Sequence, residues 1–345
     1  MVARGECTFA AKAAWATLHN ASGLLVYNLP GLGSFVASLG TLQSYPAFGL
    51  SNAAGLALAA ADPAPVVNMF ANTGLNFQQT TNVLCTTHAG IENQTIVVGS
   101  HLDSVPAGPG INDNGSGSSL NLELAMRMRQ SGLQVVSRVV FGWWAAEEVG
   151  LLGSAHFVNH LLNTSQVGSV ALNLNFDMIG SPNGMRGVYM GAHAEDPSIR
   201  QASGDIEDLF VQYFTAHNLT YRGDPFDGRS DYGPFIAVGI PAGGLFTGAE
   251  KIKTDKERTL FGGWSNTAYD PCYHQECDTY DNIDWKLALE NAQAAAFVSG
   301  TLVSHPNLPR FLSTNDYDSI IAHRTSRAFL NSHYTCSKKH DIEFA

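Results

Sequence analysis

The sequence predicts an α/β fold in which helices cover both faces of a mostly parallel, mixed β-sheet. Short apolar runs of the buried-strand type alternate along the chain with longer segments in which apolar residues recur at helical spacing. Alternating buried strands and helices are typical of such layered sheets. Ligands bind to these folds beyond the carboxyl ends of the strands, so the loops there are the first place to look for function.

Four strands and three helices define this alternation. The strands are expected at residues 95–100, 138–146, 169–180 and 240–248. The helices are expected at residues 118–132, 198–217 and 285–305. Together these elements predict one large domain over residues 66–305.

The ends of the chain differ from this pattern. Residues 1–61 predict a small α/β unit with a helix at 8–18 and strands at 24–27 and 45–50, followed by a Pro/Ala linker at Asp62–Pro65. Residues 306–345 are polar and unpatterned, and we expect a tail whose structure the sequence does not assign. The segment Met1–Glu6 lacks the features of a signal peptide, so we expect that a signal was removed or that the sequence begins inside its gene.

The composition of the chain argues against some classes of function. The chain has 345 residues, 45% of them hydrophobic, which is enough for a large core, and its formal net charge is −11. An acidic chain without clustered Lys and Arg is not expected to bind nucleic acid or anionic membranes as its main partner. No apolar run is long enough to span a bilayer, and the sequence does not fix the oligomeric state.

The cysteines and glycosylation motifs favour a secreted protein. Two of the five cysteines, Cys272 and Cys277, are five positions apart, a spacing that a local disulfide could bridge. Acceptor motifs for N-glycosylation occur at Asn20, Asn93, Asn114, Asn163 and Asn218. Few lysines, a plausible disulfide and several such motifs together indicate an oxidising, extracellular setting.

Metal-type ligands stand at or after the predicted strands. His101 follows the strand at 95–100, Glu147 and Glu148 follow 138–146, Asp177 lies at the end of its strand, and Asp113 lies in a Gly-rich loop before a helix. Any one of these residues alone is more often structural than a ligand, but their common placement favours one site. Carboxylates crowded into a crevice repel one another unless bound cations compensate them. With His274 as a fifth candidate, the set fits a two-metal site with a shared Asp and one spare Glu.

Long strings around these residues resemble the co-catalytic zinc aminopeptidases, the secreted leucine aminopeptidases of bacteria and fungi. The resemblance covers residues 81–284 and includes, in order, HLDSVPAGPGINDNGSG, AAEEVGLLGS, GRSDYGPF, GGLFTGAE and DPCYHQECDT. It implies the zinc-exopeptidase fold of the phosphorylase/hydrolase-like type. The first segment resembles the second half of a protease-associated domain, so we expect that the front half of that domain and the family's own N-terminal segment are missing.

The resemblance implies a site with two Zn²⁺ ions that cleaves the N-terminal peptide bond of peptides. Asp113 would bridge the two ions, and the remaining ligands would be His101 and Asp177 for one ion, and Glu148 and His274 for the other. Asp103 would orient His101.

The same resemblance assigns the reaction and the substrate contacts. Glu147 would be the general base, and the Tyr273 hydroxyl would stabilise the oxyanion. Arg229 would face the substrate. The first side chain would lie among Met178, Gly228 and Phe246, which favours Leu, Met or Phe there; core packing is nearly as good an explanation for Met178 and Phe246.

Two structural features are also implied. Cys272 and Cys277 would form a disulfide that fixes the loop of Tyr273 and His274; a cysteine metal site usually has tighter spacing. The Asp113–Asn114 peptide bond would be cis, and Asn114 would carry no glycan.

Two rival readings stay open. Carboxypeptidases, dipeptidases and glutaminyl cyclases share similar ligands, although the CYH and GGLFTG strings favour an aminopeptidase. A non-catalytic binding protein is the second, and the retention of all five ligands and of Glu147 counts against it.

Overall fold

The computed structural model describes residues 1–5, 7, 9–31, 33–35, 39, 43–72, 78–314 and 334–343. The chain divides into two compact units, Met1–Phe77 and Gln78–Phe344. No described helix is both long enough and apolar enough to cross a membrane.

The first unit contains a three-stranded parallel sheet with two helices. Its elements are, in chain order, β1 (Val2–Ala3), α1 (Phe9–Leu18), β2 (Leu24–Tyr27), β3 (Ala47–Leu50) and α2 (Asn52–Ala60). The strand order is β1-β2-β3, and both pairs are parallel. Its small core joins Ala13 and Ala16 of α1 to Leu24 and Val26 of β2. The expected helix and both expected strands are therefore present.

An eight-stranded mixed sheet organises the second unit. Its strands are β4 (Gln79–Thr87), β5 (Ile91–His101), β6 (Ser137–Trp144), β7 (Val170–Phe176), β8 (Gly187–Tyr189), β9 (Arg222–Asp224), β10 (Ala242–Phe246) and β11 (Tyr334–Glu343). Their order is β11-β4-β6-β5-β7-β10-β8-β9. The four central strands, β6, β5, β7 and β10, are parallel to one another. The predicted fold class, a mostly parallel mixed sheet between helices, is confirmed.

Seven helices connect these strands in the described residues. They are α3 (Gly117–Gln130), α4 (Leu152–Asn163), α5 (Pro197–Ala216), α6 (Gly233–Ile236), α7 (Asp255–Phe261), α8 (Trp285–Ser304) and α9 (Leu308–Thr314). The last of them and β11 belong to the tail that the sequence left unassigned, and residues 315–333 of that tail lie outside the described residues.

Both faces of the sheet are buried because successive side chains of its central strands point to opposite sides. Ile96 and Val98 of β5 belong to a large core with α3, α5 and α8, whereas Val97 belongs to a second core with α4 and α6. Fully buried strands of this kind read as continuous apolar runs, which explains why the sequence revealed them.

Two paired glycines make room for a buried indole beside the end of β5. Gly99 and Gly142 are partners in the β5–β6 ladder, and the ring of the fully buried Trp144 lies against both. A Cβ at Gly99 would lie 2.4 Å from the indole Nε1, and one at Gly142 would lie 2.4 Å from the indole Cη2. The indole therefore occupies space that any larger residue would need.

Replacing Gly99 by Ala is expected to lower the free energy of unfolding by about 1–3 kcal/mol, because the added methyl group overpacks a closed core. Chemical denaturation of the variant measures this loss. Gly168→Ala is the matched control, since a Cβ there meets no atom within 4 Å. Equal stability of the two variants would contradict the proposed packing.

Candidate metal centre

Neighbouring parallel strands bring the first pair of candidate ligands together. His101 is the last residue of β5, and Asp177 directly follows β7, which pairs with β5. The carboxyl ends of both strands lie at the same edge of the sheet, so the two side chains meet. His101 Nε2 lies 3.3 Å from Asp177 Oδ1.

Asp113 reaches the same point from the segment that precedes α3. Its Oδ1 lies 3.2 Å from His101 Nε2. The Asp113–Asn114 peptide bond is cis, as expected. The backbone N–H groups of Asn112 and Asp113 donate to the buried carboxylate of Asp278, at 2.8 and 3.1 Å. This carboxylate fixes the backbone that carries Asp113.

Glu148 and His274 form the other half of the cluster. Glu148 follows β6, and His274 lies in the loop that a Cys272–Cys277 disulfide closes, as expected. His274 Nε2 lies 3.0 Å from Glu148 Oε2 and 3.0 Å from Asp113 Oδ2. Asp113 thus contacts both histidines, one with each of its oxygens.

The five side chains form two groups of three that share Asp113, and within each group the ligand atoms lie within 4.8 Å of one another. His274 Nε2 and Glu148 Oε1 are buried and have no hydrogen bond of acceptable geometry among the described residues. His274 Nε2 is close to the carboxylates of Asp113 and Glu148 but is aligned with neither, so it points between them. Nitrogen and carboxylate donors converging in this way fit zinc.

The charges of the cluster also call for cations. Burial opposes a charge on His101, but the carboxylates of Asp177, Glu147 and Asp113 together outweigh it and hold the pKa of His101 well above its usual range. At His274, Asp113 and Glu148 likewise overcome burial and raise the pKa to about 9. Burial raises the pKa of Glu148 to about 7. Protons therefore compensate the carboxylates in the absence of a metal, and divalent ions would replace them.

Asp103 contacts His101 differently from the expected carboxylate–histidine pair. His101 Nδ1 lies 3.0 Å from the backbone oxygen of Asp103 and 3.7 Å from its Oδ1. The carboxylate instead accepts the backbone N–H groups of Glu147 and Glu148, at 2.9 and 3.1 Å. A carboxylate accepts two N–H donors better than one distant ring nitrogen, so Asp103 orients the turn that presents both glutamates.

Glu147 lines an open cavity beside the cluster, and its free volume of about 520 Å³ includes space continuous with solvent. Burial raises its pKa well above the usual range, and Asp231 contributes to the rise. Its neighbour Glu148 and the cluster residues Asp113 and Asp177 also line this cavity. The candidate base and the candidate ligands therefore open onto one space that could hold a substrate.

Four of the five other residues expected to contact the substrate line the same cavity. Tyr273, Arg229, Met178 and Phe246 line it, whereas Gly228 is not among the lining residues and donates its N–H to the Tyr232 hydroxyl at 2.9 Å. The Tyr273 ring stacks on His274, with 3.8 Å between the ring centroids. The Arg229 guanidinium donates to Glu250 Oε1 at 3.1 Å.

The sequence patterns did not indicate several residues that support the candidate site through hydrogen bonds. Ser230 donates to Asp177 Oδ2 at 2.6 Å, and the buried Asp231 accepts from Ser154 at 2.5 Å. Asp278, whose carboxylate holds the backbone that precedes α3, is a fourth such residue. Ser230 and Asp231 lie in the string GRSDYGPF, and Asp278 lies in DPCYHQECDT. Ser154 is the last residue of AAEEVGLLGS. These strings contain the residues, but the hydrogen bonds join separate segments of the chain and cannot be read from residue types.

Comparison with known proteins identifies both segments. The profile of peptidase family M28 matches residues 82–299, and the profile of the PA domain matches residues 1–58. The resemblances inferred for the two segments are thereby confirmed.

Individual relatives agree with these profiles. Leucine aminopeptidase 2 of Arthroderma otae is 41% identical over 310 residues, which cover 88% of this chain and 62% of the relative. Probable leucine aminopeptidase 2 of Aspergillus fumigatus is also 41% identical over 310 residues, covering 87% of this chain and 61% of the relative. The chain thus spans about three fifths of the length of these relatives.

Solved structures share the fold. BSAP, a zinc aminopeptidase from Bacillus subtilis, is 22% identical with a TM-score of 0.59, covering 86% of this chain and 68% of that one. An aminopeptidase from Aneurinibacillus sp. strain AM-1 is 25% identical with a TM-score of 0.60, covering 87% and 67%. The family profile matches more than half of the residues of this chain, and the chain therefore belongs to peptidase family M28.

Proposed function

We propose that this chain is a two-zinc aminopeptidase that hydrolyses the N-terminal peptide bond of peptides. The observation that carries the proposal is the pair of three-ligand groups sharing Asp113, with Glu147 beside them in one cavity. The leucine aminopeptidase names of the relatives support the same activity.

The ligands divide between the two ions as the contacts suggest. His101 and Asp177 would hold one zinc ion, Glu148 and His274 the other, and Asp113 both. When bound, zinc would act as a Lewis acid that lowers the pKa of water and polarises the scissile carbonyl.

Glu147 moves the proton. Its carboxylate accepts a proton from the attacking water and returns it to the nitrogen of the leaving amine. The raised pKa of Glu147 makes its carboxylate a stronger base toward the proton of the attacking water. The Asp103 carboxylate keeps Glu147 in place through the backbone N–H.

The remaining residues select and orient the substrate. The Tyr273 hydroxyl donates to the oxygen of the tetrahedral intermediate; burial raises its pKa well above the usual range, so it stays protonated. The free α-amino group lies against Glu147 and Asp177, and a blocked amine would leave these acids without their partner. Arg229 faces the bound peptide.

The apolar part of the cavity receives the first side chain. Met178, Phe246 and the rings of Tyr189 and Tyr232 belong to the lining of this cavity, and the Phe246 ring stacks on the Tyr189 ring. Apolar surface of this kind favours large apolar first residues such as Leu, Met and Phe.

We also propose that the protein is secreted and glycosylated. The Cys272–Cys277 disulfide suits an oxidising compartment. Asn20, Asn93, Asn163 and Asn218 are exposed and open to glycosylation, whereas Asn114 is buried and leaves no room for a glycan.

Mass spectrometry of an unmodified linear peptide incubated with the zinc-loaded protein tests the activity. We expect products that lose residues one at a time from the N-terminus. Shortening from the C-terminus would identify a carboxypeptidase instead, and cyclisation of an N-terminal Gln would identify a glutaminyl cyclase. An intact peptide would favour a binding protein.

A further inference from the structure

A second set of acids lines the same cavity. Asp224 is the last residue of β9 and is the ladder partner of Tyr189 in β8. Asp224 and Asp227 line the cavity together with Tyr189, as do Glu147 and Asp177. The pocket for the first side chain therefore combines an apolar wall with two carboxylates that the proposed reaction does not use.

The cations around these carboxylates are engaged elsewhere. Arg222 forms an ion pair with Glu257, which Lys251 also approaches to 4.0 Å, and Arg229 pairs with Glu250. Asp227 Oδ1 accepts the backbone N–H of Arg229 at 3.1 Å and the Tyr232 hydroxyl at 3.2 Å. Among these groups, four carboxylates stand against three cations, which leaves one negative charge in excess.

Asp224 carries this excess. Within the described residues, its carboxylate makes no hydrogen bond and has no ion pair within 4.0 Å. Burial raises the pKa of Asp224 to about 7, and the neighbouring Asp227 adds to the rise. A half-buried carboxylate that faces a cavity without a partner is suited to a cation delivered by a ligand.

The walls would hold the rest of such a side chain. The Tyr189 ring lies 4.6 Å from the Tyr232 ring and 6.4 Å from the Phe246 ring, centroid to centroid. Aromatic surfaces bind the methylene stem of a long cationic side chain and attract its charged end.

We propose that the cavity accepts lysine or arginine as the first residue of a peptide, in addition to large apolar residues, and that Asp224 receives the positive charge. This inference rests on the proposed aminopeptidase function and extends its substrate class.

The test compares lysine p-nitroanilide with norleucine p-nitroanilide, which has the same straight chain without the ammonium group. We expect Asp224→Asn to lower the ratio of kcat/KM for lysine to kcat/KM for norleucine about tenfold, the usual effect of losing one charged hydrogen bond. Asp208→Asn, an exposed acid on α5 outside the cavity, removes the same charge and should leave the ratio unchanged. A ratio that stays within twofold in Asp224→Asn would overturn the inference, as would cleavage of lysine over a hundredfold slower than norleucine by the unmodified protein.

A binding measurement separates this inference from the proposed function. If neither p-nitroanilide is cleaved, the aminopeptidase proposal fails, and thermal stabilisation of the unmodified protein by lysinamide and norleucinamide decides the inference alone. Stronger stabilisation by lysinamide supports the acidic pocket. Equal stabilisation by both amides overturns it, and this comparison does not require the variant to fold.

Discussion

Replacing Glu147 by Gln is expected to lower kcat for leucine p-nitroanilide about a thousandfold, within the usual range for loss of a general base. Glutamine keeps the shape of the side chain but cannot accept the proton of the attacking water. Steady-state kinetics on the zinc-loaded variant measures the loss, and metal analysis should find its zinc content unchanged because Glu147 belongs to neither ligand group.

The matched control is Glu123→Gln. Glu123 is an exposed acid on α3 that pairs with Arg127, so its replacement removes the same charge far from the chemistry. We expect kcat close to that of the unmodified protein. A Glu147→Gln variant that kept more than a tenth of the original kcat would contradict the role assigned to this residue.

Replacing Asp113 by Asn is expected to remove most of the bound zinc and to lower kcat/KM at least about a thousandfold. Both Asp113 oxygens contact a histidine, so one substitution alters both ligand groups. Two ions typically contribute several kcal/mol of transition-state stabilisation, and each 1.36 kcal/mol is a factor of ten. Metal analysis after gel filtration, together with kinetics, measures both effects.

Asp208→Asn again serves as the control for the change of charge and should retain both metal and activity. Retention of two zinc ions with near-normal activity in Asp113→Asn would show that Asp113 does not bridge the ions.

The central strands could be predicted because they are buried on both faces. The runs at 95–100 and 138–146 contain the apolar stretches 96–98 and 139–146, and the structure places β5 and β6 there. The strand β4 escaped because its exposed and buried residues are mixed and several are threonines. The strands β8 and β9 have three residues each, too few to show a period.

The candidate ligands could be predicted because strand ends and long family strings both pointed to them. What the sequence missed depends on geometry between segments. Asp103 lies near His101 in sequence, yet its carboxylate accepts N–H groups beyond the end of β6. Asp224 is one acid among several in its segment, and only the pairing of β8 with β9 places it in the cavity.

Hydrolysis of leucine p-nitroanilide and its N-acetylated form, before and after chelation, tests the two-zinc aminopeptidase most directly. We expect cleavage of the free-amine substrate alone, its loss on treatment with chelator, and its return as two equivalents of zinc are added. Cleavage that survives complete removal of metal, or equal cleavage of the acetylated substrate, would contradict the account.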